Sequence, residues 1–219
     1  MNEYDSSIET KKHIELVGKN IDIICNRLIT KNDFNDNSKD ITLIDLLISL
    51  SNKEVLSNHG STLAYINNNT YLDLTFKSNL INREKTINYF ISEFQKRKLL
   101  HDKSKLEEPE KSEFDILTPK LANSTYGSEE YKSFLKELKV ALTHHYSFNR
   151  HHPEHFSRGI KGMNIINLTE MFCDWCAASK RHNDGDIFKN FEINEQRFGY
   201  DKKLTRIFSN TIDKYMKSG

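Results

Sequence analysis

The chain has 219 residues, enough for one sizeable core or a core with an inserted subdomain. Its formal net charge is +1 with 29% charged residues, which provides no global field for nucleic acid or an acidic membrane. No run of about 18 apolar residues exists to span a bilayer, the polar start MNEYDSSIET lacks the pattern of a secretory leader, and three cysteines are too few for a disulfide framework; a cytosolic protein is expected.

Three prolines and eight glycines leave room for long helices. Ile14, Val17, Ile21, Ile24, Cys25 and Leu28 recur at steps of three and four and predict an amphipathic helix over 10–30, with His13 at the edge of the stripe. Between 31 and 85 the pattern changes. NDFNDNSKD is a polar breaker, TLIDLLISLSN a short helix, and STLAYINNNTYLDLTFK alternates apolar and polar residues around Asn67-Asn68-Asn69. Asparagine tolerates the left-handed turn conformation, so this last stretch predicts a β-hairpin. An exposed hairpin edge there could join a symmetric homodimer.

Ile87, Phe90, Ile91, Phe94, Lys98 and His101 mark a second helix with a His-Asp pair at its end. Ser128, followed by Glu129 and Glu130, is a helix start; the stripe beyond it runs Tyr131, Phe134, Leu135, Leu138, Ala141, Leu142 and ends in His145. Asn167 with Glu170 three residues on reads as a capping box, opening a helix through Leu168, Met171, Phe172, Trp175 and Ala178 that carries Asp174. Leu204, Ile207, Phe208, Thr211, Ile212 and Tyr215 mark a last helix near 202–216. The expected fold is mainly α: a helical bundle formed by 1–30 and 86–219, with 31–85 as a small inserted subdomain.

The chemistry sits in the histidines. The chain has nine, and five of them, His144, His145, His151, His152 and His155, fall within twelve residues. With His101-Asp102 and Asp174 they supply imidazole and carboxylate, the donor set of divalent transition ions. Ligands spread over several helices, with His13 from the first, are what a metal site in a bundle core requires. A divalent ion there would lower the pKa of bound water and neutralise phosphate oxygens. Lys105, one turn past His101, is a candidate phosphate contact, with Arg150, Lys161 and Arg181 as further cations. Mn, Fe, Zn, Mg, Co and Ni are not distinguished by this donor set.

The order His13, His101-Asp102, Asp174 resembles the HD-domain metal-dependent phosphohydrolase superfamily, whose pattern is His, His-Asp, Asp on an all-helical core. His101-Asp102-Lys103-Ser104-Lys105 is similar to the His-Asp-x-x-Lys version of members acting on phosphodiesters. Two-metal members place additional histidines between the His-Asp pair and the last Asp, as His144, His145, His151 and His152 stand here. The resemblance implies a hydrolase acting on a phosphomonoester or phosphodiester bond of a nucleotide, with Asp102 and Lys105 as catalytic residues. The blocks HDKSKLEEPE, TPKLANSTYGSEEYK, ALTHHYSFNRHHPEHF and EMFCDWCAASKRHNDGDI also resemble an uncharacterised family of bacterial and phage proteins over roughly 100–212, which implies no activity.

One departure bears on the ligand set. Superfamily members usually carry the first His within a few tens of residues of the His-Asp pair, and His13 stands much further away. The insertion at 31–85 would account for the distance; without it, His59 in SNHGS is the substitute. Two other readings stand beside the enzyme: a non-catalytic metal-containing protein that binds a nucleotide or signal, and a structural protein with a closed zinc or hydrogen-bonded histidine node. Glu170 reads as a cap, Cys173 and Cys176 as buried thiols, Asp184 and Asp186 as a solvated turn, and His155 and His182 as outer or exposed histidines.

Overall fold

The computed structural model describes residues 4–31, 40–51, 83–124, 128–180 and 186–216. Among these residues it is mainly helical, with eight α-helices: α1 (Ser6–Thr30), α2 (Leu43–Ser51), α3 (Arg83–Leu100), α4 (Glu110–Asn123), α5 (Glu129–Phe148), α6 (Ile165–Ser179), α7 (Ile187–Phe198) and α8 (Lys202–Thr211). Short 3-10 turns at Lys103–Leu106, Pro153–His155 and Gly159–Gly162 join them, and a π-turn at Ile212–Met216 follows α8.

The core forms where apolar stripes meet. α1 starts at Asp5, whose side chain accepts the Ser7 N–H, and buries His13, Val17, Ile21, Ile24, Cys25 and Leu28 on one face. That face packs on α3 and α6. α6 is buried on nearly every side, from Ile165 through Cys176 and Ala177, as expected of a central helix. Its Phe172 and Trp175 join an aromatic group with Phe191, Phe198, Tyr200 and Phe208, whose rings are stacked, tilted or edge to face with centroids 5.1–6.4 Å apart. Gly199, at φ 62°, ends α7 in the left-handed conformation that glycine adopts without strain. Asp201 then caps α8 through the Lys203 N–H.

α2 is the short helix expected inside 31–85. Leu43, Ile44, Leu46, Leu47 and Ile48 are buried in the main core, and its start is tied to α8 by the Leu43 N–H bond to Thr211 Oγ1 at 2.8 Å. Asp45 in its first turn accepts the Thr42 N–H and pairs with Lys31. The expected hairpin around Asn67–Asn69 lies outside the described residues.

α4 and α5 form a hairpin with its own small core of Leu117, Leu138 and Ala141, flanked by Phe114, Leu121, Phe134 and Leu142. It is anchored to α1 by the Ser6 N–H bond to Asp115 Oδ1 at 2.7 Å and by Lys111, which bridges Asp5 and Asp115. No helix among the described residues is long and apolar enough to cross a membrane.

Candidate metal centre

α1, α3, α5, α6 and two turns deliver polar side chains to one buried region. His13 comes from α1, His101 and Asp102 from the end of α3, His145 from α5, His151 and His152 from the turn after it, and Asp174 from α6. Asp102 holds the middle. Its φ of 53° and ψ of 15° lie in the left-handed region, a conformation costing a non-glycine residue about 1 kcal/mol or more but tolerated best by Asp and Asn. A continued helix would turn Asp102 about 100° from His101. The left-handed residue instead ends α3 and lets both side chains meet, with His101 Nε2 3.9 Å from Asp102 Oδ2.

The two oxygens of Asp102 face two different ligand sets. Oδ2 lies 3.9 Å from His13 Nε2 as well. Asp174 Oδ1 closes this first set, 2.7 Å from His13 Nε2 and 3.6 Å from His101 Nε2. Oδ1 of Asp102 lies 3.3 Å from both His145 Nε2 and His151 Nε2. His152 Nε2 completes the second set, 2.8 Å from His145 Nε2. Within each set the donor atoms are all within 4.8 Å of one another.

Outer partners fix which nitrogen faces inward. Glu170 Oε1 lies 3.0 Å from His101 Nδ1 and 3.4 Å from His151 Nδ1. An ionised carboxylate only accepts, so a proton belongs on each Nδ1, and Nε2 is the nitrogen each ring can free for an ion once it is neutral. The other Glu170 oxygen accepts from Arg97 at 3.0 Å, and Arg97 also donates to Asn167 Oδ1 at 2.9 Å. Glu110, fully buried, does the same for the second set: Oε2 lies 2.9 Å from His145 Nδ1 and Oε1 2.7 Å from His144 Nδ1.

The charges are arranged to keep carboxylates ionised. Burial pushes the Asp102 carboxyl up, but Lys105 and His101 outweigh it and hold the group well below the usual carboxylate range. Burial is likewise overcome at Asp174 by His101 and His13, and at Glu170 by His101 and His151, which bring it down to about 2. His101, disfavoured as a cation by burial, is nonetheless raised to about 10 by Asp102, Asp174 and Glu170. Burial and the neighbouring His151 push His152 well below the ordinary imidazole value.

Among the described residues, the buried polar atoms with no hydrogen-bond partner include His101 Nε2, Asp102 Oδ1 and His151 Nε2. Buried polar groups are nearly always paired, and all three belong to the donor atoms that the two sets present. Imidazole nitrogens and carboxylate oxygens together suit a divalent transition ion. Asp102, Glu110, Glu170 and Asp174 set four buried carboxylates against the cations of Arg97 and Lys105. With neutral imidazoles the cluster is therefore negative. The residues present fit one or two divalent ions.

Most of the sequence candidates converge. His13, His101, Asp102, His145, His151, His152 and Asp174 form the two sets, and Lys105 donates to Asp102 Oδ2 at 2.7 Å. His144 does not join them: its Nδ1 is on Glu110, and its ring packs 4.6 Å from Phe148. Arg150 and Lys161 are exposed, the former with its guanidinium 5.3 Å above the Phe156 ring. Arg181, His182, Asp184 and His59 lie outside the described residues. Asp186 caps α7, His155 Nδ1 donates to the Tyr146 carbonyl at 2.8 Å, and Cys173 and Cys176 are buried free thiols.

The capping box does not form. Asn164 is the N-cap of α6, accepting the Asn167 N–H, so the helix starts a turn earlier and Glu170 is carried inside it to the histidines. The sequence signal for this was available: Glu170 and Asp174 stand four apart, on one face of a helix. Glu110 and Arg97 carried no comparable signal.

A family model described as a family of unknown function, DUF5662, matches residues 77–218, and the chain belongs to that family. Comparison with curated proteins and with solved structures returned no match.

Proposed function

We propose that this DUF5662 member is a divalent-metal-dependent phosphohydrolase of the HD type, cleaving a phosphomonoester or phosphodiester bond in a nucleotide. The observation that carries the reading is Asp102, one oxygen toward His13, His101 and Asp174 and the other toward His145 and His151. A carboxylate so placed can be shared by two ions, His13, His101 and Asp174 holding one and His145, His151 and His152 the other. Such ions supply Lewis acidity, making water a nucleophile near neutral pH and neutralising phosphate oxygens. The nucleotide comes from the sequence resemblance.

The protein's own residues support that chemistry. His101, Asp102, His145 and His151 have side chains at most 1% exposed, whereas Asp174 is 13% and Lys105 21% exposed. Solvent therefore reaches the centre at Asp174, at the half-buried His152 and at Lys105, and a phosphate would arrive beside Lys105. The Lys105 ammonium keeps Asp102 ionised and stands ready to take a phosphate oxygen, a preorganised positive charge beside the reacting group. With neutral imidazoles, the four carboxylates exceed the Arg97 and Lys105 cations by two charges, an excess that one divalent ion would cancel and two would reverse.

The test is metal analysis of the purified protein after supplementation with manganese, iron and zinc, together with phosphate release over a panel of nucleotides, for the wild type and Asp102→Ala. Bound metal with release in the wild type, and loss of both in the variant, is the expected result. A protein that takes up no metal would sink the reading. Metal uptake without release from any nucleotide favours the non-catalytic binding protein. That alternative, like a structural histidine node, draws on the 2.7 Å contact of His13 with Asp174, which fastens α1 to α6 without an ion.

A further inference from the structure

The two ligand sets have separate outer partners with one exception. Glu110 touches only the second set, through His145. Glu170 touches both: a single oxygen, Oε1, is 3.0 Å from Nδ1 of His101, in the first set, and 3.4 Å from Nδ1 of His151, in the second. The two rings lie side by side with centroids 4.2 Å apart, so neither can rotate without disturbing the other. The carboxylate itself is clamped, its Oε2 held by Arg97 and the arginine by Asn167 one helical turn earlier on α6. All of these groups except Arg97, which is 21% exposed, are buried.

We infer that Glu170 is the common positioning residue of both half-sites, so that both ions are gained or lost through it together, whereas Glu110 governs the second ion alone. This rests on the metal-centre reading above. The reason is tautomeric. As long as Glu170 is an ionised acceptor, both imidazoles keep a proton on Nδ1, and Nε2 is the nitrogen that exchanges its proton for an ion. A glutamine in its place has one accepting oxygen and one donating nitrogen. If its oxygen faces Arg97, its NH2 faces the histidines and drives their protons to Nε2, where a ligand lone pair is needed. If its oxygen faces the histidines, its NH2 opposes the arginine donors.

The experiment measures Co²⁺ and Mn²⁺ binding isotherms and stoichiometry for the wild type, Glu170→Gln and Glu110→Gln. Two ions are expected for the wild type. Glu170→Gln should weaken both by about 10- to 100-fold, the usual effect of losing an outer partner of a ligand histidine. Glu110→Gln should weaken one by a similar factor and leave the other unchanged. Because Glu170→Gln removes the charge that Arg97 pairs with, the double variant Arg97→Gln/Glu170→Gln is measured beside it, and each is checked for a native circular dichroism spectrum.

A second measurement needs no variant. In the Zn²⁺-loaded wild type, nitrogen-15 NMR should show Nδ1–H protons on both His101 and His151. A wild type that binds two ions while Glu170→Gln loses only one, or loses no more than Glu110→Gln does, overturns the inference and leaves the metal centre standing. An Nε2–H proton on either histidine overturns it too. A wild type that binds no ion overturns both.

Discussion

His13 and Asp174, 161 residues apart in sequence, meet at 2.7 Å between Nε2 and Oδ1. The contact joins the first helix to the central one. His13 Nε2 also lies 3.9 Å from Asp102 Oδ2, so the long separation in sequence does not keep His13 from the His-Asp pair. The first set should therefore depend on His13. His13→Ala is expected to weaken one ion by at least about tenfold and leave the other bound, read as a fall in metal stoichiometry from two to one at limiting metal. A stoichiometry still at two would place His13 outside the ligand set.

Asp102 is expected to behave differently, because each of its oxygens faces its own ligand set. Asp102→Asn should lose both ions and phosphate release while keeping its fold, since asparagine tolerates the left-handed backbone at φ 53°. Asp102→Ala should lose the same functions and in addition melt lower than Asp102→Asn, by the roughly 1 kcal/mol that the left-handed conformation costs an alanine. Thermal melts of both metal-free variants measure the difference. Equal melting temperatures would mean that the turn relaxes when the carboxylate is gone.

Much of this centre was legible in the sequence, and what was not has physical causes. The stripe of α1 and the His-Asp pair at the end of α3 follow from local periodicity, which needs no knowledge of the fold. His151 and His152 were legible as ligand types, but assignment to one set or the other depends on which oxygen of Asp102 they face, a tertiary relation. His144 and His145 differ by one residue, about 100° on a helix, and only the second lies on the buried side of α5. Glu110 was hidden because it opens α4, a helix with only a weak apolar stripe and with Pro119 inside it. Glu170 reads as a cap because Asn167 followed by Glu170 has the spacing of one, and the competing cap at Asn164 prevails in the fold.

Lys105 is tested apart from metal binding. It pairs with Asp102 Oδ2 and its ammonium also lies 5.8 Å from the Phe114 ring centroid, a neighbouring apolar wall that a methionine could share. Lys105→Met should keep both ions while lowering kcat/KM for phosphate release by about 10- to 1000-fold, the range for removal of one preorganised group at a developing charge. Metal content measured on the same sample separates the roles. Loss of metal alongside activity would make Lys105 a support for Asp102 rather than a contact of the substrate.

The metal-free protein should have a stability profile with two opposite slopes. Glu170 is held at about 2 in the fold against an ordinary 4.5: burial opposes ionisation, and the bonds from His101 and His151 overcome it. A lowered carboxyl pKa stabilises the fold fully above 4.5, and that contribution is lost as pH falls from there toward 2. His101 is raised from 6.5 to about 10: burial opposes the cation, and Asp102, Asp174 and Glu170 overcome it. A raised imidazole pKa stabilises fully below 6.5 and is lost as pH climbs from there through 10. In the presence of a chelator, urea midpoints should therefore be highest between about pH 4.5 and 6.5 and fall on both sides. Divalent ions reverse the alkaline limb, because ion and proton compete for the same imidazoles and metal affinity rises as the protons leave. The gap between metal-loaded and metal-free midpoints should widen steadily from pH 6.5 to 9. A gap that stays constant over that range would show that His101 does not exchange a proton for an ion, and would remove it from the ligand set.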